Sequence, residues 1–318
     1  MTQADVWVLA DPRAGTAAQA LGIAERLGVP FHTVPLEWGR LARLPAPWPT
    51  LAGLTLPARA AFTPPWPRLV IAAGRRSAAV ALWLQRRGAR TGRGTKIVHC
   101  MRPGLGASRF DLLVIGRHDL PSPAPKLVAI LGATHRMSPD RLAEARVQFA
   151  AFAALPAPRV ALLIGGPVRG QGMEPAIAGA IARQAAGFAG SILASASRRT
   201  GRAAEDALAA GCASRPHVLF RWGDPGPNPY AGMLAWADAV VVTGDSVSMI
   251  SEALATTVPV FIADPGGLGR RHRRLHASLI AAGQARMLAD APGPFARGPL
   301  DESGRVAAEI KARGLLPT

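Results

Sequence analysis

Cysteine is almost absent from this chain of 318 residues: only Cys100 and Cys212 occur. Two are too few for a disulfide framework or a cysteine-built zinc site. Tyrosine occurs once and aromatics make up 5%, which leaves no platform for stacking single-stranded bases. No apolar run approaches the ~18 residues of a membrane-spanning helix. The early acid Asp5 and the short apolar run Val6 to Ala10 do not read as a secretory signal. No Gly-Lys pair is present, so there is no Walker A loop. There is no Gly-x-Ser-x-Gly elbow, no Asp-x-Asp for a metal-held nucleotide sugar, and no Cys/His spacing for zinc. Gly244-Asp245-Ser246 has the letters of a GDS-type esterase, but it stands late in the chain and no Asp-x-x-His follows. The expected location is therefore the cytoplasm.

What is present is hydrophobic residues at 49%, charged residues at 18%, and a formal net charge of +17. The length suits roughly two domains of about 150 residues with a sizeable core. Only three of the cations are lysines, Lys96, Lys126 and Lys311. The charge is uneven, net +12 over residues 1–155 and +5 over 156–318. A positive field of this kind draws phosphates, anionic lipid or nucleic acid. Nucleic acid has only the charge in its favour. Residues 35–68 hold eight prolines with Trp38, Trp48 and Trp66. This is a pattern for an interface with anionic lipid, or for a long loop whose tryptophans pack on the domain.

Short apolar strands alternate with helical periodicity along both halves, and a Pro-rich break at Leu155-Pro156-Ala157-Pro158 separates them. Such alternation predicts parallel sheets with helices on both faces. The expected fold is α/β, two Rossmann-like domains facing across a cleft. Residues 1–155 form the first and 156–299 the second.

Ligands of open parallel sheets sit beyond the carboxyl ends of the strands. The segment Val242-Thr243-Gly244-Asp245-Ser246-Val247-Ser248-Met249-Ile250-Ser251-Glu252-Ala253 runs from a strand through a polar turn into a helix. Ser246 and Ser248 lie where phosphate oxygens would meet a helix start, and Glu252 could accept two ribose hydroxyls. A plainly capped helix with an exposed Glu fits the same letters. Gly165 and Gly166 follow another strand and permit close approach of a ligand, with Arg169 available for a phosphate. Ser197 and Arg198 follow a third and suit a diphosphate. In the first half, Asp11 with Arg13, His118 with Asp119, and His135 with Arg136 occupy post-strand turns. His118 could be a base oriented by Asp119.

With these residues in hand, the run from Trp222 to Ala253, containing Asn228-Pro229-Tyr230, Trp236-Ala237-Asp238 and Gly244-Asp245-Ser246-Val247-Ser248-Met249, resembles the signature of the elongated-mitochondria (mitochondrial fission Elm) family. Phe110-Asp111, Arg117-His118-Asp119 and His135-Arg136 agree with it. That family is related to the two-domain GT-B glycosyltransferases. The resemblance implies a donor nucleotide sugar in the second half, with Gly165, Gly166 and Arg169 near the diphosphate. Ser197, Arg198, Gly244, Asp245, Ser246 and Ser248 would surround it, and Glu252 would hold the ribose. It implies an acceptor near Arg13, His135 and Arg136, and a base, His118 with Asp119 or else Asp11. It also implies a C-terminal helix, within about 300–318, that returns to the first domain. No metal or cofactor is expected, since the nucleotide sugar is itself the substrate. A lipid or cell-envelope acceptor, held with the protein peripheral on the inner face of the cytoplasmic membrane, is consistent with the charge. A non-catalytic scaffold is the competing reading. The oligomeric state is left open.

Overall fold

The computed structural model describes residues 5–43, 48–104, 106–166, 172–290 and 292–316. It divides into two units, Met1–Arg136 with Asp301–Thr318, and Met137–Leu300. Each unit is built on a six-stranded, all-parallel sheet.

In the first unit β1 (Val6–Ala10), α1 (Ala14–Leu27), β2 (Phe31–Pro35), α2 (Leu56–Arg59), β3 (Leu69–Ala73), α3 (Arg75–Arg90), β4 (Lys96–Cys100), β5 (Leu112–Gly116) and β6 (Leu127–Ile130) follow one another. The strand order is β2-β1-β3-β4-β5-β6. Strands buried on both faces need apolar residues of both parities. Val6, Val8, Leu69 and Ile71 join α1 residues Ala20, Ile23, Ala24 and Leu27 on one face. Trp7, Leu9, Val70 and Ala72 join α3 residues Val80, Leu82 and Leu84 on the other. Full burial of Ile23 and Leu27 is worth about 2 kcal/mol each. Because α1 and α3 cover opposite faces, the crossovers diverge between β1 and β3. That divergence makes the carboxyl edge there a switch point where ligands bind.

Residues 36–43 and 48–68 pack onto this unit as a fold-back. Gly39 N–H donates to the Gly53 carbonyl and Thr55 N–H to that of Glu37. Arg59 donates to the carbonyls of Ala52 and Leu54. Trp66 meets Trp83 edge to face at 5.4 Å, and Phe62 lies between Trp7 and Trp83. Two of the three tryptophans of this segment are therefore packing groups, while Trp48 is 60% exposed.

The second unit holds α4 (Pro139–Gln148), β7 (Arg159–Ile164), α5 (Pro175–Ala186), β8 (Ser191–Ala196), α6 (Arg202–Cys212), β9 (His217–Phe220), α7 (Tyr230–Trp236), β10 (Ala239–Thr243), α8 (Val247–Ala253), β11 (Val260–Ala263), α9 (Arg270–Ala281) and β12 (Arg286–Met287). The order β12-β11-β10-β7-β8-β9 puts its switch point between β7 and β10. The boundary expected at 155/156 is corrected to 136/137. Helix α4, capped by Ser138, belongs to the second unit. Arg146 stacks 3.9 Å above Trp236, and Phe149 fills the space a Cβ on Gly232 would need. The prolines at 156 and 158 are no linker. The Pro158 carbonyl accepts from Gly190 N–H, and that of Pro156 from the Ser191 hydroxyl.

The last helix, α10 (Glu302–Ala312), lies in the first unit and buries Val306, Ala307 and Ile310 against its α1 face. Asp301 caps it and pairs with Arg26 on α1. Glu302 accepts from Leu131 N–H, and Ser303 exchanges two hydrogen bonds with the His135 backbone.

Candidate functional site

At the β7/β10 switch point three post-strand turns interlock. Gly165 N–H donates to Thr243 Oγ1 and Gly166 N–H to Asp245 Oδ2, each at 2.8 Å. Thr200 Oγ1 donates to the Gly165 carbonyl at 2.6 Å and accepts from Ser197 N–H. Arg199 stands 3.7 Å from Asp245 Oδ2. The two glycines are required by these contacts. A Cβ on Gly165 would fall 2.5 Å from Asp245 Oδ2, and one on Gly166 2.3 Å from the Arg199 carbonyl oxygen.

The contacts define what the backbone of the glycine pair does. Their N–H groups are spent on the protein's own Thr243 and Asp245, not left open for a diphosphate. Ser246 likewise spends its hydroxyl capping α8, accepting from Met249 N–H at 3.4 Å. Asp245 is 8% exposed, and its Oδ1 is buried with no hydrogen-bond partner among the described residues. A buried carboxylate oxygen in that condition calls for a donor such as a hydroxyl. Behind the turn, neutral His276 donates from Nε2 to the Gly244 carbonyl at 2.8 Å. Burial lowers its pKa. Arg169 lies outside the described residues. Arg198 is exposed and Ser197 half-buried.

Helix α8 then carries Ser248 and Glu252, four residues apart and so on one face, both half-buried. Burial pushes the Glu252 carboxyl up to about 7, while the neighbouring Tyr230 hydroxyl and the Arg141 guanidinium pull it down. Burial, with Glu252 beside it, drives the Tyr230 hydroxyl well above its ordinary value. Arg297 anchors the far end of α8, donating to the carbonyls of Ala253, Leu254 and Val258 and to Thr256 Oγ1.

In the first unit the expected residues separate. Asp11, at the carboxyl end of β1, accepts from Arg13 N–H and from Trp38 Nε1, each at 2.9 Å. The Arg13 side chain is exposed. His118 is 3% exposed and packs so closely on Gly116 that a Cβ there would meet its ring at 2.2 Å. Its Nε2 is 3.8 Å from Asp119 Oδ2. A base must reach the proton it takes, and burial withholds this ring from an acceptor. His135 is 2% exposed within the contact of α1 with α10, and Arg136 pairs with Glu25. Both are structural ties here.

The sequence gives no sign of a role for His276, and Tyr230 has none assigned from it. Tyr230 stood in the quoted signature and is the chain's single tyrosine, which was the available signal. Nor does the sequence single out His99, fully buried with a pKa lowered by burial to about 4, its Nδ1 within 3.1 Å of the Met101 carbonyl. Both cysteines are buried and raised by burial to about 12, which removes them as nucleophiles. Among the described residues no three His, Cys, Asp or Glu side chains gather as metal ligands.

Two parallel α/β units, each with a topological switch point in its sheet, make up a GT-B-like fold. Os79 from O. sativa, crystallised with UDP, superimposes with a TM-score of 0.53 at 13% identity, covering 96% of this chain and 91% of that one. The UDP-GlcNAc 2-epimerase from Methanocaldococcus jannaschii gives 0.52 at 13%, covering 96% and 99%. The model of the mitochondrial fission ELM1 family matches residues 14–314, and the chain belongs to that family. The mitochondrial fission protein ELM1 of Arabidopsis thaliana is 27% identical over 296 residues, 82% of this chain and 68% of the relative. An uncharacterised protein of Rickettsia prowazekii is 25% identical, covering 96% and 98%.

Proposed function

We propose that the second unit binds a nucleotide sugar at the β7/β10 switch point and that the protein is a GT-B-like glycosyltransferase whose acceptor is bound by the first unit. The observation that carries this reading is the pair of carboxyls held at that edge. One is Asp245, with its unpartnered buried Oδ1, and the other is Glu252, half-buried on the same face of α8 as Ser248. Carboxylates in such positions accept sugar and ribose hydroxyls, and Ser248 lies one helical turn before Glu252. The negative diphosphate meets Arg198, Ser197 and Ser248. Fold neighbours crystallised with UDP and UDP-GlcNAc support the choice of a uridine nucleotide as the first ligand to test. Departure of a nucleoside diphosphate requires fixed donors and cations at the leaving oxygens, and the acceptor hydroxyl requires a base. Asp11 is the base of this reading, since His118 is buried.

Membrane association of the first unit is part of the proposal. Among the described residues no helix is long and apolar enough to cross a membrane. The fold-back exposes Leu41, Trp48 and Leu56 beside arginines, which suits attachment to an anionic surface.

A second reading is favoured by Asp245 itself. Its carboxylate occupies the Gly166 N–H where a phosphate oxygen would go, as a protein that kept the fold without the chemistry would allow. A thermal-shift panel of UDP, GDP, CDP, ADP and CMP decides between the two. At one hundred times its Kd a nucleotide stabilises the protein by about 2.7 kcal/mol. One selective shift, abolished by Glu252→Gln, is the expected outcome, with affinity rising as pH passes upward through about 7. A flat panel supports the non-catalytic reading.

A further inference from the structure

We propose that the first unit carries a separate anion site, built by Arg40, Arg43 and Arg76 around Trp38, which binds the phosphate or diphosphate group of a ligand distinct from the nucleotide. A cavity of about 620 Å³ lies there, lined by Trp38, Gly39, Arg40, Ala42, Arg43 and Arg76. That size falls within the ~300–1,000 Å³ of small-molecule sites. Its place in the fold is the β1/β3 switch point. Arg76 stands in the first turn of α3, just past the end of β3, and Trp38 is hydrogen-bonded to Asp11, just past the end of β1. The corresponding edge of the second unit is the candidate nucleotide site, so the two units offer equivalent edges to two different ligands.

The charge is what defines the ligand. Arg40 and Arg43 open and close a single 3-10 turn, where residues three apart eclipse one another, so both guanidinium groups leave from one side. None of the three arginines joins an ion pair among the described residues. The carboxylate bonded to Trp38, that of Asp11, is already engaged by Arg13 N–H and the Trp38 indole. Three guanidinium groups around one cavity repel each other until an anion enters, and their forked donors match phosphate oxygens. Trp38 supplies a flat apolar wall for whatever carries the phosphate. That this ligand is the acceptor substrate rests on the glycosyltransferase reading above, whereas the anion site stands on the cavity alone. The phosphate could belong to a soluble molecule or to a lipid headgroup, since Leu41 on the same turn is 52% exposed.

The test uses the full chain and the variant Arg40→Gln/Arg43→Gln/Arg76→Gln. Calorimetric titration with inorganic pyrophosphate at fixed ionic strength is expected to show a site in the parent that weakens at least tenfold in the variant. The melting temperature and the nucleotide shift should stay unchanged. Co-sedimentation with vesicles of phosphatidylcholine, with and without phosphatidic acid, separates the sources. Arginine-dependent vesicle binding with weak pyrophosphate binding assigns a lipid phosphate, and the converse assigns a soluble one. Equal binding of both probes by parent and variant overturns the proposal. Should the triple variant fail to fold, the exposed single substitution Arg43→Gln replaces it with the same readouts. Glu252→Gln is expected to abolish the nucleotide shift and leave pyrophosphate binding intact, so failure of either site is visible independently of the other.

Discussion

One buried and one half-buried titratable side chain give the molecule opposing pH responses. His99 is held neutral, with its pKa lowered from 6.5 to about 4. Between those values the unfolded chain binds the extra proton, so stability is lost as pH falls from 6.5 towards 4, by up to about 3 kcal/mol. Glu252 is raised from 4.5 to about 7. Here the folded chain binds the extra proton, so stability is lost as pH rises from 4.5 to 7, by about 2 kcal/mol once partial solvent access is allowed for. The windows overlap, and the parent should change little between pH 4.5 and 6.5. Denaturant titrations of Glu252→Gln should uncover a stability that climbs with pH in that range, and those of His99→Gln one that falls. If both variants titrate like the parent, these two groups do not carry the pH response. Residue identity in the family signature also acquires a physical reason. Trp236 is stacked under Arg146 and donates to its carbonyl, and Asp238 accepts from the Arg159 backbone and side chain. Both hold the start of β10 and the end of α7 in place and so act on the candidate site only through position.

Among the elements, α8 is short, and its far end depends on a single side chain. Arg297 makes its hydrogen bonds while half-buried, and burial lowers its pKa to about 10. Arg297→Met leaves those carbonyls without their donor. It should cost about 3 kcal/mol in chemical denaturation and weaken nucleotide binding by loosening Ser248 and Glu252. Helix α1 depends on a glycine in a different way. A Cβ on Gly22 would lie 2.0 Å from the His135 carbonyl oxygen, a backbone atom that α10 holds through Ser303. Gly22→Ala should therefore destabilise by at least about 2 kcal/mol. A melting temperature within 1–2 °C of the parent would mean that the 133–136 turn yields freely.

The whole molecule is a chain that leaves its first unit, completes a second and returns. Helix α10 covers Val306, Ala307 and Ile310 on the first unit and provides Glu302 and Ser303 to its turns. Ending the chain at Leu300 should uncover the α1 face and remove roughly 4–5 kcal/mol of apolar burial. Limited proteolysis should then cut the first unit while leaving the second protected. Equal protection of both units would show that the returning helix is dispensable.

The continuous apolar strands and the helical periodicity between them were legible in the sequence because each is set by residues close along the chain. The α/β class and the family signature followed from the same local patterns. Three things were not legible. The first is the boundary: prolines 156 and 158 read as a linker, yet their carbonyls are hydrogen-bond acceptors inside the second unit. The second is the use of Gly165 and Gly166, whose N–H groups turn to Thr243 and Asp245, about eighty residues away in sequence. The third is the separation of His118, His135 and Asp11, three polar post-strand residues that look alike as letters. Burial against Gly116, anchoring by Ser303, and half-burial at the β1 edge are decided by which surfaces pack together, and packing is a property of the tertiary structure alone.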